Sequence, residues 1–126
     1  FKYLFDHLPS YVPWMYNYST TALCVKEVCH AFELGFVFNN RYAMPDRPKM
    51  TPLEAKLASQ MQGAWGNFVK TGNPNSLMQP RILWPEFSTS GYPNIVFTTR
   101  PPTHVIKNHH DAKCTLFDSI GWRENV

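Results

Sequence analysis

The sequence predicts an α/β chain, and three runs of residues carry that expectation. Residues 2–6 (Lys2-Tyr3-Leu4-Phe5-Asp6) are aromatic and aliphatic almost without polar alternation, as expected of a short strand buried on both faces in a mostly parallel sheet. Residues 51–71 repeat apolar side chains at helical spacing behind a strong helix-start signal. Residues 94–99 are β-branched and aromatic between turn-forming flanks, the pattern of a second short strand.

The first strand runs from the beginning of the chain with no start methionine, signal peptide or targeting segment ahead of it, so the expectation is a chain that begins inside a larger protein. Residues 7–21 hold Pro9, Tyr11, Pro13, Trp14, Tyr16 and Tyr18. Proline at this density blocks regular elements while the rings bury apolar surface, so a packed loop is expected. Residues 39–49 place charges between Pro45 and Pro48 and read as a surface linker.

Thr51-Pro52-Leu53-Glu54 then forms a capping box. The Thr51 hydroxyl accepts from the third helical amide, Glu54 reaches back to the cap, and Pro52 stands where a helix needs no donor. Leu53, Leu57, Met61, Ala64, Trp65 and Phe68 follow on one face. The helix is expected to end at Thr71-Gly72-Asn73-Pro74-Asn75, where Gly72 supplies a left-handed cap and Pro74 forbids continuation. The strand at 94–99 lies between Gly91-Tyr92-Pro93 and Arg100-Pro101-Pro102, and residues 111–120 form a last helix with Cys114, Phe117 and Ile120 roughly in line.

Composition excludes several functions. The chain has 126 residues, 44% of them apolar and 17% charged, which is ordinary globular usage; 15% aromatic residues and eleven prolines suit short elements joined by rigid loops. The net charge of +3 comes from cations spread singly, with no basic run to track a phosphate backbone, so nucleic acid is not expected as a partner. The longest apolar stretch, residues 32–38, is interrupted by Glu33 and is far too short for a membrane span.

The chemistry-bearing segment is Val28-Cys29-His30-Ala31-Phe32-Glu33-Leu34-Gly35-Phe36-Val37-Phe38. A lone histidine is more often structural than catalytic. A hydrolase histidine, however, sits on a loop after a core strand, where its imidazole meets a serine hydroxyl on one side and a carboxylate on the other. His30 follows the first strand in that way. Cys24 and Cys29 are spaced to close a small disulfide loop beside it, the alternative being two reduced thiols. His109-His110-Asp111 invites a metal reading, but adjacent side chains on a helix diverge by about 100°, so a helix N-terminal turn is expected there, with no metal and no cofactor.

Residues 30–38 resemble the histidine motif of the type-B carboxylesterases: His, Gly or Ala, any residue, Glu, Leu or Ile, then Val-Phe-Gly after a short gap. Tyr3-Leu4-Phe5-Asp6-His7 is similar to the family's late core strand and Pro13-Trp14 to the loop towards the histidine. Trp65-Gly66-Asn67-Phe68-Val69-Lys70-Thr71-Gly72-Asn73-Pro74-Asn75 is similar to its penultimate helix, and Trp84-Pro85-Glu86-Phe87 to the segment that follows. Five landmarks stand in the family's order.

The resemblance implies that residues 1–126 are the C-terminal portion of an α/β-hydrolase fold: late core strand, histidine loop, amphipathic helix, short strand and terminal helix. In such hydrolases the triad runs Ser, acid, His along the chain, so this portion holds only the histidine. No Gly-x-Ser-x-Gly elbow and no Gly-rich oxyanion loop is found, the six glycines being isolated from one another. The resemblance assigns His30 the role of general base and then general acid in a serine carboxylic-ester hydrolase, inactive as this chain alone. Glu33 is expected to hydrogen-bond the loop holding His30. The competing class is a catalytically dead cholinesterase-like binding or adhesion module, since one fold hosts both. A free-standing small protein is the third possibility, disfavoured because the first strand requires neighbours from elsewhere; the chain is expected to associate, with the missing part of its domain or with itself.

Two departures from the family pattern are expected to be tolerated, Ala31 for the commoner Gly and Asn39 for Gly. The pair Cys24 and Cys29 resembles one found before the histidine in a subset of the family, which favours a disulfide. Cys114 is similar to a last-helix cysteine that in cholinesterases bonds to an upstream position. With the sequon Asn17-Tyr18-Ser19, the cysteine pair points to a secreted, periplasmic or lumenal protein. Tyr11, Trp14, Tyr16 and Tyr18 either line an acyl pocket or pack under the loop. The ester itself is not legible here.

Overall fold

A computed structural model describes residues 1–12, 23–39, 49–75, 82–88 and 91–121. The readings of Trp14, Tyr16, Tyr18, the Asn17 sequon and most of the 39–49 linker lie outside the described residues. The elements are β1 (Tyr3–Phe5), α1 (Leu34–Val37), α2 (Pro52–Thr71), β2 (Asn94–Phe97), β3 (His104–Ile106) and α3 (Asp111–Ser119).

The strands form one mixed sheet in the order β1-β2-β3. β1 runs parallel to β2, with Tyr3 opposite Ile95, Leu4 opposite Val96 and Phe5 opposite Phe97. β3 returns antiparallel to β2, as a close connection allows. β2 is therefore central and buried along its whole length, whereas β1 lies at the edge and is half-buried throughout. The sequence expectation of a strand buried on both faces is corrected for β1: all three of its residues are only half-buried, and among the described residues it pairs with β2 alone.

α2 covers the sheet face that carries Tyr3, Phe5, Ile95 and Phe97, as the two-residue alternation of strands requires. Its Leu57, Ala58, Met61 and Ala64 are buried in one core with Phe36 of α1, Tyr11, Trp84, Ile95 and Phe97. Tyr3, Trp65, Trp84 and Phe97 stack edge-on or tilted at centroid distances of 5.0–6.1 Å, within the range of favourable aromatic pairs. The expected stripe is thus covered at its middle. At its ends Leu53 and Phe68 remain 45% and 50% exposed, because α1 and the sheet reach only the central turns.

Both ends of α2 form as the sequence predicts. Thr51 Oγ1 accepts from the Glu54 amide while the Thr51 amide donates to the Glu54 carboxylate. Gly72 takes φ 75° and its amide donates to Phe68 O, closing the helix. Beyond it, the Asn75 side chain clasps the backbone of Trp84: Trp84 N donates to Oδ1 at 2.7 Å and Nδ2 donates to Trp84 O at 2.9 Å. The Trp84 indole in turn donates to Lys2 O, fastening this segment to the start of β1.

Candidate catalytic loop around His30

The chain leaves β1 at Asp6, whose amide donates to Phe97 O, and comes back to the core at α1. Between these points lies His30, on an exposed turn. Cys24 and Cys29 are joined by a disulfide, so the six residues before His30 close a covalent ring. Within it the amides of Lys26 and Glu27 both donate to Leu23 O. Phe32, two residues after His30, is buried, as are Gly35 and Phe36 in α1. The histidine is held on both sides by fixed structure while its ring faces outwards.

Backbone conformation explains two of the departures. Asn39 has φ 48°, the left-handed region that asparagine tolerates best after glycine, as expected. Ala31 has φ 68°, where a Cβ is disfavoured by about 1 kcal/mol. The preference for glycine after the histidine therefore has a backbone cause, and alanine carries a conformational cost that its chemistry does not reveal.

Glu33 occupies the cap position of α1 without a side-chain cap hydrogen bond, so the expected hydrogen bond to the loop is absent among the described residues. Its charge is instead felt by Tyr3 in β1, whose hydroxyl pKa is pushed up by burial first and by Glu33 second. No serine or carboxylate among the described residues hydrogen-bonds His30.

The carboxylate that organises this region is Glu54. It is 1% exposed and takes five hydrogen bonds. His7 Nε2 at 3.0 Å and the Ser10 amide at 2.6 Å donate to Oε1; Ser10 Oγ at 2.7 Å, the Thr51 amide at 2.7 Å and Thr51 Oγ1 at 2.8 Å donate to Oε2. Burial on its own raises the Glu54 pKa, but the bonds from Ser10, Thr51 and His7 prevail and hold it at about 2. With Nε2 donating to Glu54, His7 turns Nδ1 to the Thr99 hydroxyl at 3.1 Å, just beyond β2. In the sequence Glu54 is legible only as half of a capping box, and nothing there assigns His7 or Ser10 a part in the site. The available signal was a histidine immediately after a core strand, which has polar atoms to satisfy in an apolar place.

The remaining candidates fall elsewhere. His109 and His110 face each other at 3.8 Å between ring centroids, so the divergence expected of neighbours on a helix is corrected. His110 has φ 60° and stands at the cap of α3, not inside it, which turns the two rings together. The His109 pKa is lowered by burial, then by the charges of His110, Lys2 and Lys113. His109 lines an open cavity of about 410 Å³ with Lys2, Asn94, Asp111 and Cys114, and no described residue of the His30 loop borders it. Among the described residues no group of three His, Cys, Asp or Glu is placed to hold a metal. Cys114 is a free, exposed thiol on α3. No helix among the described residues is long and apolar enough to cross a membrane.

Comparison with known proteins agrees with this geometry. A carboxylesterase of Geobacillus stearothermophilus superposes with a TM-score of 0.58 at 25% identity, over 90% of this chain and 21% of that one. The sheet and helices are thus part of an α/β-hydrolase fold. The model of the carboxylesterase family matches residues 1–117, and the chain belongs to that family. Acetylcholinesterase of Danio rerio is 32% identical over 122 residues, 94% of this chain and 18% of that protein. Carboxylesterase 3 of Homo sapiens is 30% identical over 93 residues, 70% of this chain and 15% of that protein. The chain therefore spans about a fifth or less of the length of these relatives.

Proposed function

We propose that residues 1–126 are the C-terminal part of a serine carboxylic-ester hydrolase domain and that His30 is its triad histidine. The observation that carries this reading is the position of His30: exposed, at the head of its motif, on a disulfide-bordered turn between β1 and α1 in a chain that matches the carboxylesterase family. An imidazole fixed at its roots and open at its ring suits proton transfer between groups brought to it by another part of the domain. The nucleophilic serine and the acid lie in that part.

His30 takes the proton of the serine hydroxyl as the oxygen attacks the ester carbonyl, and then gives it to the departing alkoxide. In the second half it takes a proton from water, which attacks the acyl-enzyme, and returns it to the serine oxygen. The triad acid keeps the second ring nitrogen protonated and stabilises the imidazolium. This chain alone has nothing for His30 to activate and is inactive. The disulfide suits an oxidising compartment, so the protein is secreted, periplasmic or lumenal.

The test is His30→Ala in the complete hydrolase domain, assayed with a p-nitrophenyl ester. Loss of at least a thousandfold in kcat is expected. Turnover that survives the substitution removes His30 from the triad, and a wild-type domain inert to all such esters with its elbow serine replaced favours the binding-module reading.

A further inference from the structure

We propose that Glu54 is the positioning residue for His30: it locks the first root of the histidine loop onto α2, the helix that also holds the second root, and so sets where the imidazole stands. This rests on the reading of His30 as the triad base. Two donors to Glu54, His7 and Ser10, belong to the first turn of the loop after β1, while Thr51 belongs to the cap of α2. Through His7 the same carboxylate reaches Thr99 at the exit of β2. One buried group therefore joins the exits of two strands to the beginning of a helix.

The other root is fixed to the same helix. Gln62 Nε2 donates to Phe36 O at 2.8 Å, eight residues or about 12 Å further along α2. The Phe36 ring closes the gap between the roots, with centroids 5.0 Å from Phe5, 5.6 Å from His7 and 6.3 Å from Tyr11. A shift of His7 or Ser10 relative to α2 thus displaces Phe36, and Phe36 lies six residues from His30. General-base transfer tolerates little of this, since about 1 Å of misplacement can cost on the order of a hundredfold in rate.

A carboxylate is required for a geometric reason. Each oxygen receives a backbone amide, Ser10 N on Oε1 and Thr51 N on Oε2, and neither amide can turn away. A glutamine offers one acceptor oxygen, so in either orientation its NH₂ group faces a backbone N–H. Glu54→Gln keeps the shape of the side chain and breaks the lock.

In the complete hydrolase domain, Glu54→Gln is expected to lower kcat for p-nitrophenyl acetate at least tenfold with KM within twofold, at a temperature where both proteins are fully folded. Hydrogen exchange at the amides of residues 28–33 should accelerate in parallel. Gly72→Ala, at the far end of α2, serves as a destabilised control and should lower Tm without changing kcat. A Glu54→Gln protein with reduced Tm but wild-type kcat and unchanged exchange at 28–33 overturns the proposal while leaving His30 in place if His30→Ala is dead. An active His30→Ala protein instead overturns the underlying assignment. Should Glu54→Gln fail to fold, Ser10→Ala removes one donor to Oε2 and is expected to reduce kcat two- to fivefold; wild-type kcat in that variant is equally fatal to the proposal.

Discussion

Glu54 keeps a full charge where water cannot reach it, and five donors supply the solvation it has lost. The consequence for stability has a definite sign. Its pKa falls from an ordinary 4.5 to about 2 on folding, so its contribution is fully present above pH 4.5 and disappears as pH falls through 2. The shift corresponds to roughly 3 kcal/mol. Urea denaturation at fixed protein concentration should show wild type losing more stability than Glu54→Gln between pH 5 and pH 2, while at neutral pH the variant is the weaker protein. Equal acid losses would mean that the carboxylate is not held as described. At this scale the sequence is legible only where the cause is local. Asn39 at positive φ follows from residue type, and the cost at Ala31 does not, because nothing in the alanine itself announces a left-handed backbone.

Among the elements, α2 carries most of the packing. Met61 is fully buried between α1 and the sheet, and Met61→Ala should destabilise the chain by about 2–5 kcal/mol, read as a fall in Tm and in the urea midpoint. A change below about 1 kcal/mol would mean that the core collapses onto the missing side chain. The beginning and end of α2 were readable because caps are set by four or five consecutive residues. The covered length of its apolar stripe was not, since Leu53 and Phe68 obey the same periodicity as Leu57 and Met61 and differ only in what stands opposite. The histidine loop divides in the same way. His30, its disulfide and its motif are contiguous, whereas the bonds from Glu54 to His7 and Ser10 cross 47 and 44 residues, a distance that no local pattern encodes.

For the whole molecule, the sheet is the decisive feature. β1 has the composition of an interior strand and, among the described residues, the position of an edge, with half-buried aromatic rings along it. α3 adds exposed Leu116, and Ile120 at its C-cap is exposed as well. The isolated 126-residue chain is therefore expected to associate, giving a mass by light scattering above that of its 14.6 kDa monomer. A clean monomer with two-state unfolding would show that the edge needs no cover.

The clasp between Asn75 and Trp84 ties a helix end to a strand mechanically. Because the asparagine side chain mimics a strand partner and binds both the amide and the carbonyl of Trp84, the positions of α2 and of the tryptophan are fixed to each other without reference to the residues between them. Force on the end of α2 therefore passes through the Trp84 backbone and its indole to Lys2, so the helix end and the start of β1 move as one piece.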